Sequence, residues 1–145
     1  MTQYYVSDDR SKIDFDVVHH FLSNSYWSAG IPAETLRRGL KHSLCFGVYD
    51  QQDNQAGFAR VISDYATYAY ILDVFVLEQH RGQGLGKKLI DTILKHPDLQ
   101  GLRRVSLGTK DAHGLYAQYG FTPIDNPENV MHIWQPELYQ SNELI

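Results

Sequence analysis

Apolar residues recur along this chain with two different periods. Phe15, Val18, Phe21 and Leu22 return at helical spacing behind Asp14, a side chain suited to accept from the first amides of a helix. Residues 23–30 are small, polar or aromatic and break that run. Pro32 then fits the first turn of a second helix bearing Leu36 and Leu40. Ahead of both, residues 3–6 read as a short strand. From Leu44 the pattern turns strand-like, and 44–50, 56–64 and 68–77 predict a three-strand meander joined by polar turns. Behind a glycine-rich stretch at 81–86 the helical period returns. Leu85, Leu89, Ile90, Ile93 and Leu94 share one face, and His96-Pro97 stops the helix. Residues 102–109 read as a strand. Residues 111–120 read as a helix, with Asp111 as N-cap and Gly120 as terminator. Phe121–Ile124 and Val130–Trp134 are expected to form two closing strands.

The predicted order is β-α-α-β-β-β-α-β-α-β-β, an α/β (α+β) domain with a mixed sheet. The unit 68–77, 84–96, 102–109 should be a right-handed parallel crossover, and the other strands can pair antiparallel. With no repeat, low-complexity block or linker in sight, residues 1–145 are expected to form one domain.

Composition narrows the function classes. At 43% hydrophobic and 21% charged residues the chain has the mix of a globular protein. A net charge of −4 disfavours nucleic acid and suits a small cationic acceptor better than a polyanion. The first ten residues are polar and acidic, without the apolar h-region of a secretory signal, and no apolar run approaches the roughly 18 residues of a membrane span. Neither secretion nor membrane insertion is expected. Cys45 is the single cysteine, so no internal disulfide forms and a cytoplasmic location is expected. The seven histidines are scattered, with His19 and His20 adjacent rather than at ligand spacing, so no metal site is expected.

Arg81-Gly82-Gln83-Gly84-Leu85-Gly86 lies between an apolar strand and an amphipathic helix. Glycines there permit positive φ and close approach to the backbone. The first helical amides lack internal partners and sit at the positive end of the helix dipole, so the turn either cradles a diphosphate or serves only as a tight connection. A P-loop is excluded because Gly86 is followed by Lys87-Lys88 with no Ser or Thr. A dinucleotide fingerprint is excluded because the spacing is GxGxG on a late strand with no acidic residue ending the next one.

Together, two motifs resemble the GNAT (Gcn5-related N-acetyltransferase) family. Arg81, Gly84 and Gly86 occupy the fixed positions of its coenzyme A motif, Q/R-x-x-G-x-G/A. Ala112, Leu115, Tyr116, Gly120 and Phe121 match its second signature, in which Thr109 stands where the family usually has Asn. The resemblance implies an N-acyltransferase in which an amine attacks the thioester of bound acetyl-CoA directly, in a ternary complex. It assigns the diphosphate to the backbone of Gly82, Gln83, Gly84, Leu85 and Gly86, and the pantetheine to the strand near Phe75 and Val76, with one of those amides as oxyanion donor. It places Thr109 beside the cofactor and Tyr116 as general acid towards the departing thiolate. From the residues alone, Tyr116 could equally pack its helix against the sheet.

Asp73 stands in the apolar strand YAYILDVFVL, where a carboxylate needs a partner. Simple alternation puts it on one face with Ile71 and Phe75. It either pairs with Arg60 or serves the acceptor amine as base. Tyr26, Trp27, Arg60 and Asp64 are the candidate acceptor residues, since aromatic faces and an acid suit a cationic amine; Trp27 could instead be core packing. The expected acceptor is a small-molecule amine, with homodimerisation possible. A non-catalytic acyl-CoA sensor and a transferase acting on protein amines are the alternatives.

Overall fold

Asp14 accepts from the Val17 amide at 3.2 Å and starts α1 (Phe15–Ser23). Pro32 precedes α2 (Ala33–Lys41), whose carboxyl end is capped by the Arg10 guanidinium donating to the Leu40, Lys41 and Ser43 carbonyls. In the computed structural model, which describes residues 3–141, these helices cover one face of a five-stranded sheet. Its order is β1-β2-β3-β4-β5. The strands are β1 (Tyr5–Ser7), β2 (Leu44–Tyr49), β3 (Gln55–Ser63), β4 (Tyr68–Val76) and β5 (Arg104–Leu107). The first four pair antiparallel, and β5 joins β4 in parallel through the crossover helix α3 (Leu85–Lys95), as the element order requires. Two further helices are short: α4 (His113–Ala117) and α5 (Leu138–Ser141).

Each face of the sheet carries its own core. Phe46, Val48, Val61 and Ile71 meet Leu89, Ile90 and Ile93 of α3. On the other face Phe58 and Phe75 meet Val18 and Leu22 of α1 and Leu36 and Leu40 of α2. The helical periods read from the sequence are these two buried stripes.

The structure corrects the sequence reading in three places. Phe121–Ile124 and Val130–Trp134 are not strands. Pro123 removes a ladder donor from the first segment, and the second finds no strand edge beside it, leaving Met131 92% and Ile133 95% exposed. The helix read at 111–120 shortens to α4, with Ala112 rather than Asp111 at its N-cap and no side-chain cap; ahead of it the Thr109 hydroxyl accepts from the Ala112 amide at 3.0 Å. Gly120 does end the unit, with φ of 91°.

The third correction bears on the site. The pairing of β3 with β4 slips between Phe58–Phe75 and Arg60–Leu72, a bulge centred on Asp73, which takes φ of 56°. Alternation breaks there. Ile71 packs on the α3 side, whereas Phe75 packs on the α1–α2 side, so the two do not share a face as simple alternation required.

Candidate active site

The parallel pairing of β4 with β5 runs from Tyr68–Arg104 to Ile71–Leu107 and stops. Beyond Ile71, β4 continues for another five residues with no strand on its β5 side. The bulge at Asp73 bends the strand at that same point. Among the described residues no strand lies beside β4 on that side from Leu72 to Val76, so its edge can hydrogen-bond an extended ligand, although the Val76 carbonyl is taken by Arg81.

At the end of that edge lies a hollow of about 210 Å³, lined by Val76, His80, Arg81, Gly82, Gly84, Leu85, Gly86, Lys87 and Leu115. Gly82 and Gly84 take φ of 82° and 73°, and a Cβ added at either would meet nothing within 4 Å. The glycines are therefore required by backbone conformation, and the space before them is free for a ligand. Gly84 is the N-cap of α3 and supplies no side-chain cap. Among the described residues the amides of Gln83, Gly84, Leu85, Gly86 and Lys87 have no acceptor; the first amide of the turn that does is Lys88, bound to the Gly84 carbonyl at 3.0 Å. Five unsatisfied donors at a positive helix end, with the Lys87 ammonium on the same rim, suit a diphosphate. Arg81 lines the same hollow, with its Nε donating to the Val76 carbonyl at 3.0 Å and closing the strand end.

Tyr116 on α4 is 8% exposed and packs in the α3-side core, edge-on to Phe121 at 5.8 Å. Burial raises its pKa above the ordinary tyrosine value, with the Asp111 charge adding to the effect. Its hydroxyl has no hydrogen-bond partner among the described residues. Tyr49 Oη, by contrast, is the fully buried side-chain polar atom left without one. Tyr116 is thus a phenol held protonated through the neutral range, with its donor uncommitted. Tyr119 is instead tied to α3, its hydroxyl donating to the Lys87 carbonyl at 3.1 Å.

On the opposite face of the bulge Asp73 gathers two further candidates, Trp27 and Arg60. Its Oδ1 accepts from Trp27 Nε1 at 2.8 Å and its Oδ2 from Arg60 Nε at 2.6 Å. A second Arg60 nitrogen donates to Ser43 Oγ at 2.9 Å. Of the two roles weighed for Asp73, the Arg60 pair is therefore formed, and it is buried, with side chains 14% and 4% exposed. Removing one partner of such a pair strands the other charge. Arg60→Met is expected to cost about 3–5 kcal/mol in urea unfolding, and adding Asp73→Asn, uncharged and tolerant of the positive φ there, should recover much of that loss. A single variant as stable as the parent would refute the pairing.

Trp27 and Tyr26 lie in the α1–α2 loop, 42% and 66% exposed, with their rings edge-to-face at 5.1 Å. Lys110 of the β5–α4 loop places its ammonium 5.1 Å from the Tyr26 ring centre. The two loops thus meet beside the bulge. Sequence reasoning missed Lys110, Lys87 and Leu115. Two of them carried a signal: Lys87 as a cation immediately after the glycine turn, and Leu115 as a residue of the second motif.

Asp64 does not join this cluster. It sits in the turn between β3 and β4, where it accepts from the amides of Ala66, Thr67 and Tyr68 and from the Thr67 hydroxyl. Those donors hold its carboxyl well below the usual carboxylate range. The stability it contributes is complete above about pH 3.9, the unfolded value, and fades as pH falls towards the depressed native one. Asp64→Asn should therefore lower the melting temperature by a few degrees at pH 7, and by progressively less below about pH 4. An equal deficit at every pH would contradict this account.

Comparison with known proteins agrees with this geometry. The profile of the acetyltransferase (GNAT) family matches residues 15–121. An acetyltransferase assigned in Gibberella zeae is 31% identical over 137 residues, covering 79% of this chain and 76% of that one. The crystal structure of a protein assigned to the GNAT family from Xanthomonas campestris pv. campestris superposes with a TM-score of 0.92 at 52% identity, covering 96% of this chain and 98% of that one. A Clostridium acetobutylicum structure solved with acetyl-CoA shares the fold at a TM-score of 0.65 and 14% identity, over 92% and 96% of the two chains. Since the family match spans residues 15–121 and the Xanthomonas fold is shared over 96% of the chain, the chain belongs to the acetyltransferase (GNAT) family.

Proposed function

We propose that this acetyltransferase moves the acetyl group of acetyl-CoA to the primary amine of a small molecule, by direct attack in a ternary complex. The observation that carries the reading is the row of acceptor-less amides from Gln83 to Lys87, facing a hollow that runs into the unpaired edge of β4. A diphosphate held at the first place and a pantetheine arm lying along the second account for both.

Acetyl-CoA supplies an activated thioester; the chain's residues hold and orient it. The α3 amides and Lys87 bind the diphosphate. The free backbone of β4 near Phe75 and Val76 positions the arm and donates to the charge that develops on the thioester oxygen. Tyr116, protonated and uncommitted, gives its proton to the departing thiolate, and the proton that the amine releases on attack passes through water to restore the phenol. Thr109 keeps its hydroxyl on the Ala112 amide, holding α4 and so Tyr116 in place.

The acceptor side is built from the aromatic pair and the bulge. Asp73, with both oxygens engaged, acts by fixing the indole edge of Trp27. The exposed faces of Tyr26 and Trp27 then offer a cation-binding wall, a reading supported by the Lys110 ammonium 5.1 Å from the Tyr26 ring centre. Titration calorimetry with acetyl-CoA, followed by thiol release across a panel of small amines and amine-bearing peptides, tests the proposal. Micromolar binding with turnover of small amines is expected. Failure of the folded protein to bind acetyl-CoA would overturn the cofactor assignment, and turnover of peptides alone would overturn the acceptor class.

A further inference from the structure

Between α2 and β3 lies a second hollow, of about 420 Å³. Thr35, Arg38 and His42 reach it from α2 and its carboxyl end, three and four positions apart and so on one face of the helix. Ser43 and, from β3, Arg60 and Ile62 complete it. Among the described residues no acidic side chain lines it.

The cations around this hollow have no structural task. Basic residues in the last turn of a helix ordinarily answer its free carbonyls. Here the Leu40, Lys41 and Ser43 carbonyls are already taken by the Arg10 guanidinium. Arg38 forms no ion pair among the described residues, Glu34 one turn before it included, and the His42 ring makes no hydrogen bond there. Arg60 is half committed. Its Nε holds Asp73 and its Nη1 holds Ser43 Oγ, whereas Nη2 has no partner among the described residues. Gly39 admits that guanidinium against the α2 backbone, since a Cβ there would stand only 3.4 Å from Nη1. Two guanidinium groups, an imidazole and the Thr35 hydroxyl around one open space make a donor set for an oxyanion.

We infer that this hollow receives an anionic group of the acceptor, so that the amine acetylated is a small molecule bearing a carboxylate or a phosphate. The inference rests on the small-amine reading above and names the class of amine. Arg60 joins the two parts of the site. The Asp73 carboxylate bridges Arg60 Nε and Trp27 Nε1, so those nitrogens are on the order of 8 Å apart at most. One small molecule can therefore set its amine end against the Tyr26–Trp27 wall and its anion in the hollow. On a chain of net charge −4 the cluster is a local exception, and it selects an anion that carries an amine over the amine alone.

The test is a set of matched acceptors, each anionic amine beside its neutral counterpart. Amino acids are paired with their carboxamides, and aminoalkyl phosphates with the parent amino alcohols, and thiol release from acetyl-CoA is followed for each. At least one anionic member is expected to exceed its counterpart about tenfold or more in kcat/KM. The pair that does so distinguishes carboxylate from phosphate. Arg38 and His42 are exposed, so Arg38→Gln and His42→Gln should fold, as circular dichroism will show. In each the ratio should fall towards one, with the loss in KM for the anionic acceptor rather than in kcat. Neutral amines turned over as well as their anionic counterparts would overturn this inference and leave the small-amine function standing. A preference that survives both substitutions together would do the same. Turnover of no small amine at all would remove the function and the inference with it.

Discussion

Gly84→Glu is expected to abolish acetyl-CoA binding, weakening it at least about 100-fold, or ~2.7 kcal/mol, while leaving the protein folded. Two effects combine. Gly84 holds φ of 73°, a conformation that costs a residue with a side chain roughly 1–2 kcal/mol. The new carboxylate also projects into open space in front of the α3 amides, where nothing within 4 Å of the Cβ position blocks it. There it competes for the donors that would receive a diphosphate and repels that group. Gly84→Ala separates the two, since it carries the backbone strain without the charge. Calorimetry should find the alanine variant binding within about tenfold of wild type, with a similar fall in melting temperature for both variants. Equal binding by Gly84→Glu and wild type would place the cofactor elsewhere.

Tyr116→Phe should lower kcat by about 10²-fold, the low end of what a positioned proton donor contributes, with KM for acetyl-CoA nearly unchanged. The substitution keeps the ring that meets Phe121 and fills the α3-side core. It removes only a hydroxyl that has no hydrogen-bond partner, so stability should hold or rise slightly. Because burial raises the phenol's pKa, the donor form persists through neutral pH, and the wild-type rate should lose this contribution only on the alkaline side. A variant with undiminished kcat would make Tyr116 a packing residue, the other role its position allows.

Much of the fold is legible in the residues because it rests on local periodicity. The stripe Leu85, Leu89, Ile90, Ile93 requires a helix with one buried face, and the structure buries that face against β2, β3 and β4. The positive φ at Gly82 and Gly84 was foreseeable, because glycine is the residue that takes it without strain. The glycine turn therefore announced itself. The acceptor side did not. Asp73 with Arg60 was one of two open pairings, Trp27 as the second partner of Asp73 was unsuspected, and Asp64 belongs to a hairpin turn that any acidic residue near Ala66 and Thr67 could cap.

The sequence by itself determined the helical stripes, the meander, the parallel crossover and the glycine turn, since each depends on residues within one or two turns or strands of one another. Tertiary structure decided the rest. The bulge at Asp73 arises from registering β3 against β4, and with it comes the exchange of faces that separates Ile71 from Phe75. The carboxylate of Asp73 meets an indole 46 positions earlier in the chain, a contact that no local pattern encodes. Residues 130–134 show the same limit from the other side. Alternation makes them able to be a strand, but a strand exists only when an edge lies beside it to take its hydrogen bonds, and that edge is a property of the assembled sheet.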